Sequence, residues 1–193
     1  MKVTVLPLDS RPCNHAWVKK YASLAGVELA IVPVDLSGNL FHGLSLANPQ
    51  SWLEAQTLDS DCLILSADAL TSGGLIQARQ ARFNLEEAIE SIQNLSLLKQ
   101  ANPNLKIYVF DTIMRTSITA YDEETQKYWS LVNKYSKALG LSMLLPSEEH
   151  TQELLRIKAM IPEPILTTYH QAREKKRTLN HLLCDLVANK TIR

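Results

Sequence analysis

Neither sign of charge is in surplus in this sequence: lysine plus arginine and aspartate plus glutamate number 20 each, a formal charge of zero at neutral pH. The broad basic footprint of a nucleic-acid-binding surface is missing, so DNA and RNA are not expected partners. Long hydrophobic runs are missing too. The first segment, MKVTVLPLDSRP, places only six residues between its lysine and Asp9, too few for the apolar region of a signal peptide. No later stretch approaches membrane-spanning length. A cytoplasmic protein without a membrane partner is expected. Cysteine is scarce: Cys13, Cys62 and Cys184 are odd in number, widely spaced and free of CxxC pairing, which argues against a disulfide framework or a structural zinc site. Cys62 and Cys184 are read as packing residues, and only Cys13 lies in a candidate site loop. The five histidines contain no HxxxH pair, and among them only His15, six residues from Asp9, is kept as a site candidate.

What the sequence does contain is a series of short, nearly continuous apolar runs, as expected of parallel strands covered on both faces by helices. Five are read as strands: Val3–Asp9, Leu29–Asp35, Cys62–Asp68, Ile107–Asp111 and Met143–Glu148. Each ends on an acidic residue. Helical patterns fill the intervals. Trp17, Val18, Tyr21, Ala22 and Ala25 share a face ahead of Gly26. Asn84 with Glu87 resembles a capping box before Leu85, Ala88, Ile89, Ile92 and Leu95, and Asn102-Pro103-Asn104 ends that stripe. Asp122 is placed to cap a helix running to about Leu139, with Gly140 as its terminator. A last helix is expected from Pro164 to about Asn189. The loop Ser37–Pro49, with Phe41 and His42 at its centre, is read as a turn in preference to a lid. The expectation is a single α/β domain over 1–193 with a parallel, Rossmann-like sheet flanked by helices. The alternation stops at Thr191-Ile192-Arg193 where another strand is due, so the domain is expected to be truncated at its C-terminus.

In an open parallel sheet the carboxyl ends of the strands share one edge, and ligands bind in the crevice there. Three loops at that edge pair an acid with an arginine. Pro7-Leu8-Asp9-Ser10-Arg11-Pro12-Cys13-Asn14 presents a carboxylate and a guanidinium together; the competing reading is a structural ion pair plus a helix cap from Asn14. The loop from Ser66 to Arg79 holds Asp68, Gly73, Gly74 and Arg79, and its paired glycines before a helical start are expected to leave N–H groups open to an anion. It has neither a Walker lysine nor GxGxxG spacing. The third loop carries Asp111, Arg115 and Thr116, where Arg115 either makes a forked contact to a ligand carboxylate or phosphate or pairs with Asp111.

The blocks PLDSRPCN, SADALTSGGLIQAR and FDTIMRTS resemble, in order and spacing, three signature blocks of an uncharacterised, mainly bacterial family, the domain of unknown function four-one-two-seven. IPEPILTTYHQAREKKRTLN resembles the helical region that follows. The resemblance implies that this chain corresponds to the N-terminal part of a longer protein and that the three loops form one site. It carries over by position to Asp9, Arg11, Pro12, Asn14, Asp68, Gly73, Gly74, Arg79, Asp111, Met114, Arg115 and Thr116. Ser66, Ser72 and the Lys175-Lys176 pair are given no role. The family name supplies no reaction.

The functional expectation is an enzyme, with a hydrolase among the candidates, acting on a polar small molecule of carbohydrate type. Asp9, Asp68 and Asp111 would supply the acid and base, and Arg11, Asn14, Gly73, Gly74, Arg79, Arg115 and Thr116 would bind the substrate. In one variant two of the carboxylates hold Mg²⁺ or Mn²⁺. The alternatives are a non-catalytic domain that binds an anion or sugar through the same arginines, and acid–arginine pairs that serve only as structural ties. Oligomeric state is left open.

Overall fold

A computed structural model describes residues 1–193 except Leu40, Leu46, Ala47, Asn48, Ala81 and Arg82. Part of the Ser37–Pro49 loop thus lies outside the described residues. Among those described, the order is β1 (Lys2–Leu6), α1 (Ala16–Leu24), β2 (Glu28–Ile31), α2 (Pro49–Thr57), β3 (Cys62–Ser66), α3 (Ala67–Ser72), α4 (Leu75–Arg79), α5 (Leu85–Gln93), α6 (Leu95–Ala101), β4 (Lys106–Phe110), α7 (Glu123–Leu144), α8 (Glu148–Lys158) and α9 (Glu163–Ala188). The residues group into two compact units. The first comprises Met1–Ala78, Arg82–Thr112 and Lys176–Arg193, and the second Arg79–Ala81 and Ile113–Lys175.

The first unit is an α/β fold built on a parallel sheet of order β2-β1-β3-β4. Register places Thr4 beside Leu63 and Leu6 beside Leu65, and pairs Leu63 with Ile107, so these residues share one face. That face is the core. Leu6, Leu63, Leu65 and Ile107 are buried with Leu53 of α2, Ile92 of α5, Leu95 and Leu98 of α6, and Leu179, Leu183 and Leu186 of α9. Each such leucine contributes about 1.5–3 kcal/mol. The opposite face departs from the expectation of a sheet covered on both sides: Val3 and Val5 are buried, but Ile64, Tyr108 and Phe110, aligned by register, are exposed. Helix α1 packs on β2, an edge strand, and buries none of its residues, so the Trp17–Tyr21 stripe is not part of the core.

Strand β1 stops before Pro7, and β2 stops short of Pro33, which has no N–H to donate to a ladder. Asp35 accordingly lies exposed in a turn, where the Leu36 N–H meets the Pro33 carbonyl, and not at a strand end. The second unit is helical, and its core includes Val132 and Tyr135 of α7, Ile157 of α8, and Ile165, Leu166 and Tyr169 of α9. The expected fifth strand, Met143–Glu148, is not one. Asp122 caps α7 through the Thr125 N–H at 2.8 Å, while Thr125 Oγ1 accepts the Asp122 N–H. The helix thus started runs past Gly140, which needs no positive φ, to Leu144. Pro146 follows, and Ser147 caps α8. A short apolar run flanked by proline fits either a strand or a last helical turn, and here the preceding helix decides. Asn84 and Gly26 act as expected, Asn84 accepting the Glu86 and Glu87 N–H groups and Gly26 adopting φ +63°, whereas α1 has no side-chain cap and Asn14 bonds Asp9 instead.

Candidate functional site

Strands β1 and β3 are central neighbours, yet the chain leaves β1 toward β2 on one side and leaves β3 toward β4 on the other. Their carboxyl ends therefore flank a topological switch point, the place where open α/β sheets bind ligands. Asp9 lies three residues beyond Leu6 and Asp68 three beyond Leu65, and Leu6 and Leu65 are register partners. Equivalent exits from adjacent strands thus carry equivalent acids.

Asp9 is buried and heavily hydrogen-bonded. Arg11 Nε donates to Oδ1 at 3.0 Å and Oδ2 at 2.9 Å, and its terminal nitrogen lies 2.7 Å from Oδ2. The Arg11 N–H and Asn14 Nδ2 also donate to Oδ1, at 3.1 and 2.6 Å. Burial alone pushes the Asp9 carboxyl upward, but these donors outweigh it and hold the group below its ordinary value. Asp9 is thereby an ionised brace for Arg11 and Asn14. His15, also buried, places Nε2 2.8 Å from the Val32 carbonyl and so ties this loop to the exit of β2.

Asp68 is not a strand end but part of the first turn of α3, whose N-cap is Ser66, bonded to the Ala69 N–H. It is fully buried. Its Oδ1 accepts from Lys176 Nζ at 2.5 Å and its Oδ2 from Thr112 Oγ1 at 2.5 Å. The same ammonium donates to Asp111 Oδ1, which also accepts the Thr112 N–H at 2.9 Å. Side-chain exposures of 0 % for Asp68, 6 % for Lys176 and 11 % for Asp111 leave Asp111 the most open of the three. Burial raises the Asp68 carboxyl above its ordinary value, more than Lys176 and Thr112 lower it. The triad holds two carboxylates and one ammonium, hence one surplus negative charge when both acids are ionised.

Lys176 was given no role in the sequence reading, and the structure corrects this. From Tyr169 onward the buried positions along α9 are Tyr169, Ala172, Lys176, Leu179, Leu183 and Leu186, at alternating spacings of three and four. A lysine on that stripe is the signal that was available, because lysine is rarely buried unless paired. Thr112 carried no comparable mark.

The paired glycines do not form the expected anion cradle. Gly73 is the left-handed C-cap of α3, and the Gly73 and Gly74 N–H groups donate to the Ala69 and Asp68 carbonyls. Their use is close approach. A side chain on Gly73 would meet the backbone of Gly43 and Leu44, and one on Gly74 would meet Gln77 Oε1 and the Leu8 carbonyl. Arg79, Arg115 and Thr116 belong to the second unit. There Arg115 is exposed and its carbonyl accepts from Arg173, while Thr116 accepts from Asn133 of α7 through both its carbonyl and Oγ1. The metal variant does not fit Asp68 and Asp111, because Lys176 bonds both, and among the described residues no three His, Cys, Asp or Glu side chains converge as a metal cluster.

A family model described as "Protein of unknown function (DUF4127)" matches residues 3–193. The chain belongs to this family. No curated protein and no solved structure matches it. In this DUF4127 chain two groups are therefore assembled by the first unit itself, Asp9–Arg11–Asn14 and Asp68–Lys176–Asp111–Thr112. Among the described residues no helix is long and apolar enough to cross a membrane.

Proposed function

We propose that this edge of the sheet is the active site of an enzyme that acts on a hydroxyl-rich small molecule of carbohydrate type by carboxylate acid–base chemistry. The observation that carries this reading is the buried triad, in which two carboxylates share one ammonium. Burial raises the Asp68 carboxyl above its ordinary value, so the buried side of the triad favours a proton. Asp111, the most open member, takes the proton from a substrate hydroxyl or a water. Lys176 holds Asp111 and Asp68 in register, and Thr112 fixes the far oxygen of Asp68. Asp9 orients Arg11 and Asn14, whose donors suit the oxygens of a polyol or a sugar carboxylate.

The test is a panel of neutral and acidic monosaccharides and their glycosides, followed by calorimetry for binding and by reducing-sugar release for turnover. Turnover is expected in the unsubstituted protein and a fall of about 10²-fold or more in Asp111→Asn, with binding retained. Unchanged turnover in Asp111→Asn overturns the acid–base reading. Binding with no turnover at all assigns the chain instead to the non-catalytic sugar-binding domains.

A further inference from the structure

The segment after β2 arches between the two loops that flank the switch point. One foot is Gly38, whose carbonyl accepts the N–H of Ser10, the residue next to Asp9, at 2.9 Å. The other foot is Gly43-Leu44, where the Leu44 N–H donates to the Gly73 carbonyl at 2.7 Å. The feet touch each other: a side chain on Gly38, at φ +69°, would come within 2.7 Å of the Gly43 and Leu44 backbone. Between them Asn39 closes the arch. Its N–H donates to the His42 carbonyl at 2.7 Å and its Oδ1 accepts the Phe41 and His42 N–H groups at 2.8 and 2.9 Å. The Phe41 N–H is thus bonded to Asn39, and its side chain is 85 % exposed. The feet on either side of this ring are bonded to the loops that carry Asp9 and Asp68.

Resting on the proposed function, we infer that Phe41 is a stacking platform that receives the apolar C–H face of a sugar ring while the hydroxyl edge meets the carboxylate and arginine groups below. An aromatic ring offers a large contact area with few rotatable bonds to freeze. The Gly73 and Gly74 N–H groups are bonded within the fold and offer no donors to a phosphate tail. The ligand class assigned is a neutral or carboxylated pyranose, with nucleotides as the competing class in the test.

The experiment measures binding of the same monosaccharide panel, with nucleosides and nucleotides added, to the 193-residue chain and to Phe41→Ala and Phe41→Trp. Phe41→Ala is expected to weaken monosaccharide binding about tenfold while its unfolding midpoint is unchanged, and Phe41→Trp is expected to restore binding. If monosaccharides bind the parent and Phe41→Ala equally, the platform is overturned and the functional reading stands. If only nucleosides or nucleotides bind and Phe41→Ala weakens them, the sugar assignment is overturned. If no sugar binds the parent chain, the functional reading fails and this inference fails with it.

Discussion

Lys176 is held by two carboxylates, and removing it leaves both of them buried without a counter-charge. Lys176→Met keeps the apolar stem and deletes only the ammonium, so the loss of stability at neutral pH is expected to be about 3–5 kcal/mol by urea unfolding. The loss should shrink toward acid pH as a carboxylate takes a proton. A loss under about 1 kcal/mol at all pH values would mark the pairs as solvent-screened surface contacts. Asp68 and Asp9 predict opposite pH dependences. The folded-state pKa of Asp68 lies above its ordinary 3.8, so the stability it contributes is complete below that value and is lost as pH rises through the raised folded value. The folded-state pKa of Asp9 lies below 3.8, so its contribution is present above that value and is lost as pH falls through the lowered one. Unfolding free energies measured from about pH 2 to 8 should show Asp68→Asn flattening the decline on the alkaline side, and Asp9→Asn weakest at neutrality and converging with the parent in acid. Parallel curves for parent and variants would remove both assignments. Asp9, Arg11 and Asn14 were legible because they are close in sequence. Lys176 lies 108 residues from Asp68, and no local pattern states that pairing.

Two glycines show how the same residue type plays different parts in different elements. Gly38 has a left-handed φ and a backbone neighbour where its side chain would be, so Gly38→Ala is expected to cost more than about 1 kcal/mol and to open the arch. Faster amide exchange at Ser10 and Leu44 would report that opening, because their N–H groups anchor the two feet. Gly140 lies inside α7 with open space around it and no left-handed φ. Gly140→Ala is therefore expected to stabilise the chain by about 0.5–1 kcal/mol in thermal or urea unfolding, and a loss of stability would mean that α7 needs the glycine. The caps at Asn84 and Asp122 were readable because a cap is a contact between near neighbours. The fate of Met143–Leu145 was not, since its residues suit either a strand or the exposed end of a helix whose start lies twenty residues earlier.

At the scale of the whole molecule, the sheet order predicts a gradient of local stability in the first unit. Strand β3 is paired on both edges, and Leu63 and Leu65 are fully buried, whereas β2 is an outer strand with no buried residue. Native-state hydrogen exchange should find the β3 amides slowest and the β2 amides fastest among the four strands, and protection in the reverse order would contradict the strand order. The sequence by itself determined the α/β class, four of the five strands it suggested, the caps at Asn84 and Asp122 and the nearness of Asp9 to Arg11 and Asn14, since each depends on apolar period or on residues a few positions apart. Only the tertiary structure decided which strands adjoin, that the Gly73 and Gly74 N–H groups are used internally, that one sheet face stays half open, and that Lys176 joins Asp68 to Asp111. Those outcomes depend on register and long-range packing, where chain segments far apart in sequence compete for the same donors and the same buried space.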